Sequence, residues 1–244
     1  MNTFSPQTMV GEIAARMPLS VRVFERLGLD FCCGGKVPLE EACEAKGLNP
    51  ATVLEDIEGV AKAAQDGPPT TAWHAAPLDS LIDHILTTHH VYMKAQLPRL
   101  EAMLEKILSK HGARHADVLI PLAETFRPMK EELDGHLMKE EMILFPLIRH
   151  LAKGAGAQGR DFHCGTVQNP IRVMAMEHES AGGALVRLRE LTGGYTPPED
   201  ACNTYRAFYA ELADMERDLH RHIHLENNIL FPRAVELEAA PSRA

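Results

Sequence analysis

Four long stretches of the chain repeat apolar residues alternately three and four positions apart. That spacing marks helices that lay one apolar stripe against their neighbours in a left-handed bundle. The first stretch, about 78–109, carries Leu86, Met93, Leu97, Leu100 and Leu104. The second, about 116–151, carries Leu122, Phe126, Met129, Leu133, Ile143 and Leu147, with Pro121 near its start and a kink expected at Pro128. The third, about 170–191, carries Ile171, Met174, Ala181, Leu185 and Leu188, and the fourth, about 199–237, carries Phe208, Leu212, Met215, Leu219 and Ile229. Gly-rich sequence from Lys153 to about Gly165 separates the second from the third, and Gly193-Gly194 with Pro197-Pro198 separates the third from the fourth. Period-two alternation is missing, so the pattern predicts an all-α protein built on an up-down-up-down four-helix bundle.

Shorter patterns precede the bundle. Val10 to Met17 reads as a helix, Pro18 opens another that stops at Gly28, Pro38 opens a third that closes near Gly47, and Asn49-Pro50 starts a fourth. Between the second and third lies the loop Asp30-Phe31-Cys32-Cys33-Gly34-Gly35. The expected organisation is a small helical domain over 1–65, a Pro/Gly/Thr-rich linker over 66–77, and the bundle over 78–238.

Six polar residues interrupt the seam: His90, His136, Glu140, His178, His222 and Glu226. A bare carboxylate among leucines costs several kcal/mol or more, so such groups require partners. Their depths along the four helices agree to within a turn or so, and bound cations would satisfy all six at once. The second and fourth helices share the repeat H-x-x-x-E-x-x-x-L-F-P, beginning at His136 and at His222. The i, i+4 spacing puts His and Glu on one helix face. The bundle therefore reads as two hairpins, each giving one His plus H-x-x-x-E, with two metals bridged by the two glutamates. Mixed imidazole and carboxylate ligation with open positions suits iron, manganese or zinc and favours chemistry over a closed structural site; iron is the expected metal. One histidine on an apolar face is ordinarily just a satisfied core residue, but six such residues in one seam with a repeated spacing are not explained that way.

Composition narrows the function further. The 244 residues contain thirteen histidines, five cysteines and a net charge of −9, with 45% hydrophobic residues. The negative balance argues against a general nucleic-acid binder. No run of about 18 apolar residues predicts a membrane span, and no signal-peptide pattern opens the chain. An odd cysteine count in a chain of this length is not a disulfide framework, which makes a reducing cytoplasm the expected compartment. His84, His89, His220 and His224 fall off the seam and are expected to flank the centre. His74, His111, His115, His150 and His163 lie in or near loops and are expected to be solvated. Cys32-Cys33 before two glycines suggests thiol chemistry or iron contact, favoured if nearby helix N-termini lower a thiol pKa. A disulfide between these neighbours would be strained. Cys43, Cys164 and Cys202 carry no such signal.

These residues resemble the iron–sulfur cluster repair di-iron proteins, the RIC type, over nearly the whole chain. The resemblance rests on Phe31-Cys32-Cys33-Gly34-Gly35, on the two H-x-x-x-E repeats with their Leu-Phe-Pro endings, on Met176-Glu177-His178-Glu179, and on Gln96-Leu97-Pro98, which places His90 rather than His89 on the first helix's ligand. It implies a haemerythrin-like bundle with an oxo-bridged centre of two iron ions, in a cytoplasmic stress protein. Such a protein restores clusters damaged by nitric oxide or oxidants, by donating iron to damaged iron–sulfur proteins with the help of Cys32 and Cys33. Ser180, Ala181 and Gly182 stand where the family often has another His and acidic residues, which leaves Glu177 and Glu179 as candidates behind the ligands or on an iron-exit path. The alternatives are an enzyme that reduces nitric oxide or peroxide at the di-iron site and a diatomic-gas sensor. Neither a membrane nor a nucleic acid is an expected partner, and a homodimer stays open.

Overall fold

A computed structural model of the protein describes residues 4–63, 71–153 and 165–240. Within them the regular structure is all helical, with a single isolated bridge between Met9 and Pro38. The all-α expectation is met. The expected linker falls partly outside the described residues, as do most of the Gly-rich segment after Lys153, His163 and Cys164. The described residues of 1–82, 149–160 and 220–244 form one compact unit, and those of 83–148 and 161–219 form a second.

The first unit contains α1 (Val10–Arg16), α2 (Ser20–Leu27), α3 (Leu39–Glu44) and α4 (Pro50–Ala63). Gly28 ends α2 at φ +66°, a left-handed conformation that glycine adopts without a Cβ penalty. Phe24 stacks on Phe31 with ring centroids 6.2 Å apart. Arg26 pairs with Asp56 at 2.6 Å, tying α2 to α4. The unit also holds the start of α5 (Leu78–His84), the last turn of α10 (Asn203–Leu225), a π-helical turn π3 (Glu226–Leu230) and α11 (Phe231–Ala239).

The second unit is the helical bundle. A first π-helical turn, π1 (Ile85–His90), runs into α6 (Val91–His111). The next helix, α7 (Ala116–Lys139), continues through Pro121 and Pro128 into π2 (Glu140–Leu144) and the start of α8 (Phe145–Ala152). Then come α9 (Gln168–Leu191) and α10 up to Leu219. The seam residues Leu97, Leu100, Leu104, Leu122, Phe126, Leu185, Leu188, Phe208 and Leu212 are buried, and Phe126 meets Phe208 edge-on at 6.5 Å.

Three seam positions are less buried than expected, and one of them, Ile171, is half-buried near the start of α9. Ile143 is 52% exposed while its neighbour Leu144 is 1% exposed, and Leu86 is only half-buried while Ile85 is fully buried. Both lie in π turns. A π turn inserts an extra residue into the helical repeat, which rotates the following apolar stripe away from the register that a strict three-four spacing predicts.

Candidate metal centre

Each of the six seam-breaking residues is buried, and Glu140 and Glu226 have no exposure at all. They converge in two groups of four: His90, Glu140, His222 and Glu226, and His136, Glu140, His178 and Glu226. In each group one ligand atom per residue lies within 4.8 Å of the others. Both glutamates belong to both groups, so two cations would share them. The hairpin-by-hairpin pairing expected from the repeat is not the one found. His90 groups with His222 and His136 with His178, because α7 packs most closely along α9 rather than along its own hairpin partner.

Local helix geometry positions the donors. The i, i+4 spacing brings His136 Nε2 to 3.2 Å from Glu140 Oε1 and His222 Nε2 to 3.1 Å from Glu226 Oε1. His90 Nε2 lies 3.4 Å from Glu140 Oε2, and the Nε2 atoms of His136 and His178 face each other at 3.0 Å. Three of the donors border π turns: π1 ends at His90, π2 begins at Glu140 and π3 begins at Glu226. Such turns recur at functional sites because they re-aim side chains without ending the helix.

A second rank of carboxylates stands behind two of the imidazoles. His90 Nδ1 is 2.8 Å from Glu141 Oε1, and Lys94 Nζ holds both oxygens of Glu141 at 2.6 Å. His136 Nδ1 is 2.9 Å from Glu177 Oε2, and Lys139 pairs with the same carboxylate. Partial burial pushes the Glu141 and Glu177 carboxyls up, but the ammonium and imidazole beside each hold them below the usual carboxylate range. An ionised carboxylate can only accept, so each imidazole donates through Nδ1–H and turns a bare Nε2 lone pair toward the centre. There the lone pairs meet Glu140, Glu226 and one another. Two Nε2 atoms at 3.0 Å cannot both carry protons, and inward lone pairs facing carboxylate oxygens repel unless cations lie between them. The donor set fits a pair of divalent or trivalent metal ions of the kind that accept mixed nitrogen and oxygen ligands.

Glu177 thus stands behind His136, whereas Glu179 is exposed on α9. On the first helix His90 joins the buried group, whereas His89 turns to Asp218, with Nδ1 3.0 Å from Oδ1. Sequence reasoning missed Glu141 and the two lysines. The available signal was a lysine four residues after His90 and another three after His136, a helical-face spacing that marks which side the carboxylate comes from.

The cysteine loop is fastened inside the first unit. Asn228, two residues beyond Glu226, donates Nδ2–H to the Phe31 carbonyl at 2.9 Å and faces His224 Nδ1 at 3.0 Å. Burial holds the His224 imidazole down to about 4, so it is neutral and its Nδ1 accepts from Asn228. The Phe31 ring packs edge-on against His224 at 5.6 Å. Cys32 is buried and Cys33 half-buried, neither is in a disulfide, and their sulfurs are 3.9 Å apart. The neighbouring Cys33 thiol, burial and Asp30 all push the Cys32 thiol up, so the condition that would have favoured thiol chemistry, a lowered pKa, is not met at Cys32. Cys32 Sγ lies 3.3 Å from Asp30 Oδ1, which also accepts the backbone N–H groups of Cys32 and Cys33.

Residues 81–234 match the model of the haemerythrin HHE cation-binding domain, and residues 6–61 match a domain of unknown function, DUF542. Among curated proteins, the chain is 41% identical over 229 residues to the iron-sulfur cluster repair protein YtfE of Pectobacterium carotovorum, covering 94% of this chain and 97% of the relative. The same-named proteins of Musicola paradisiaca and Yersinia pseudotuberculosis are 40% and 38% identical over 232 residues, with the same coverage.

Proposed function

Because the chain belongs to the haemerythrin HHE family and, over 94% of its length, to the iron–sulfur cluster repair proteins, we propose that it holds two iron ions and donates iron to clusters damaged by nitrosative or oxidative stress. His90 and His222 would hold one iron, His136 and His178 the other, and Glu140 and Glu226 would bridge them. When bound, the pair supplies exchangeable, redox-active iron with open coordination positions. The chain does the rest. Glu141 and Glu177 fix the imidazole tautomers, the two central glutamates offset the cationic charge, and the leucine seam on either side excludes water.

The observation that carries donation, rather than storage, is the fastening of the Cys32-Cys33 loop through Asn228 to the turn that bears Glu226. A protonated thiol is a poor ligand, so iron capture by Cys32 must release its proton, and Asp30 Oδ1 is the nearby acceptor. In this reading 1–65 is the delivery module and 78–238 the iron-holding module, and the family matches at 6–61 and 81–234 support that division. The clients are oxidised or nitrosylated iron–sulfur proteins in the cytoplasm.

The test loads the full-length protein with iron-57 and incubates it with an oxidised cluster enzyme. Label in the client and regained client activity are expected, and both fall in the double variant Cys32→Ala/Cys33→Ala while its own iron content stays unchanged. Steady reduction of nitric oxide or peroxide without label transfer would move the function to a reductase.

A further inference from the structure

Among the described residues a third group of metal-binding side chains lies apart from the iron site: His111, His115 and Asp200. His111 closes α6, and the His115 amide donates to its carbonyl at 2.9 Å, so the two histidines stand one helical turn apart. That i, i+4 arrangement aims two imidazoles at one point. Their ring centroids are 6.3 Å apart, and the Tyr205 ring, itself buried, backs both at 5.5 and 6.1 Å. Asp200 arrives from the segment just before α10, with Oδ1 3.0 Å from His115 Nε2. Arg114 occupies its other oxygen at 2.7 Å, which holds the carboxylate with Oδ1 turned to the histidines. One ligand atom from each residue lies within 4.8 Å of the others.

We propose that His111, His115 and Asp200 form a second, independent site for a divalent transition-metal ion of the zinc class, which ties the α6–α7 turn to the segment leading into α10. Two imidazoles and one carboxylate form a donor set that suits zinc, cobalt(II) or nickel(II) better than calcium or magnesium, and three protein ligands leave a position for water. The site is remote from the iron centre. His90 and His111 are separated by the length of α6, roughly 30 Å at a rise of about 1.5 Å per residue. The three residues are solvent-accessible in part, so an ion can reach them without opening the bundle.

The experiment titrates iron-loaded, full-length protein with cobalt(II), following its visible bands and counting released iron. One cobalt equivalent is expected to bind with no iron released, and zinc is expected to displace it. His115→Ala and Asp200→Asn are each expected to weaken this binding at least tenfold while keeping wild-type iron content. Asp200 is exposed and His115 half-buried against Tyr205, so the iron count and helical circular dichroism report whether either variant has misfolded, and each checks the other. Cobalt that enters only as iron leaves, or that binds equally well to both variants, overturns the proposal.

Discussion

Replacing Gly35 by alanine probes the fastening between the cysteine loop and the ligand-bearing helix. Gly35 does not need glycine for its backbone angles, since the glycines with positive φ among the described residues are Gly28, Gly47, Gly165, Gly193 and Gly194. It needs glycine because a Cβ there would stand 2.5 Å from Asn228 Oδ1 and 3.0 Å from both Cγ and Nδ2. Asn228 cannot swing aside freely, because its Nδ2 donates to Phe31 O at 2.9 Å and meets His224 Nδ1 at 3.0 Å. Rotating it forfeits the bond to Phe31 at about 1 kcal/mol and, by losing the bond to His224, strands a buried imidazole nitrogen at about 1–3 kcal/mol. Moving the loop instead breaks the 2.8 Å bond from Gly11 N–H to Gly35 O. Either route predicts a loss of about 2–4 kcal/mol, or roughly 4–16 °C in melting temperature for a chain of this size. Gly59→Ala is the control: it lies inside α4 with nothing within 4 Å of the added carbon, so it gains about 0.5–1 kcal/mol. Urea unfolding of the iron-loaded proteins measures both, with iron counted beforehand. Gly35→Ala leaves all six iron-site donors untouched, so its iron content stays at the wild-type level while iron transfer to the client drops. A Gly35→Ala protein within about 0.5 kcal/mol of wild type would refute the packing argument, because the predicted minimum loss is several times that.

Iron binding itself carries a stability signature. A ligand present at about a thousand times its dissociation constant stabilises the folded state by about 4 kcal/mol, so the loaded protein is expected to melt roughly 8–16 °C above the metal-free one; coincident melting curves would show that the six buried donors are satisfied without metal. Glu177→Gln, which removes the anionic acceptor behind His136, is expected to weaken iron retention about 10–100-fold in a chelator competition, whereas Glu179→Gln on the exposed face changes nothing. Equal losses from the two variants would mean that the carboxylate behind His136 has no part in holding the metal.

Much of the fold was readable because helix formation and burial both follow short-range spacing. The stripe Leu97-Leu100-Leu104 is buried as its three-four rhythm requires, Gly28 stops α2, and Pro50 starts α4. The six interrupting residues were readable for the same reason, since a seam makes an inward His or Glu conspicuous. What spacing does not encode is a change of spacing. Nothing at Leu86 or Ile143 announces the π turns that shift the stripe to Ile85 and Leu144. Glu141, adjacent to a ligand in sequence, reads as a solvated residue until the widened turn places it behind His90. Asn228 sits in a helix as one of two consecutive asparagines, which are poor helix formers, and only the approach of Gly11 and Gly35 reveals its use. His111 and His115, expected to be solvated, acquire meaning only from Asp200, which lies 85 residues beyond His115.

The charges around the centre bear on whether iron stays or leaves. The two central glutamates bring two negative charges. The two outer glutamates bring two more, but each is paired with a lysine, Lys94 on Glu141 and Lys139 on Glu177, so the outer shell is neutral. An imidazole bound to a metal brings no charge, so the pocket would offer two negative charges to the two ions proposed above, which together carry at least four positive ones. A site meant to lock iron in place would offset that excess with further carboxylates, since an uncompensated charge inside a leucine core is costly. In the proposed two-iron state that excess would have to be met from outside the six donors, by small anions that exchange with solvent. The lysines keep the outer carboxylates oriented for tautomer control while withholding their charge from the metals, a combination that favours ordered binding together with ready release, as iron donation requires.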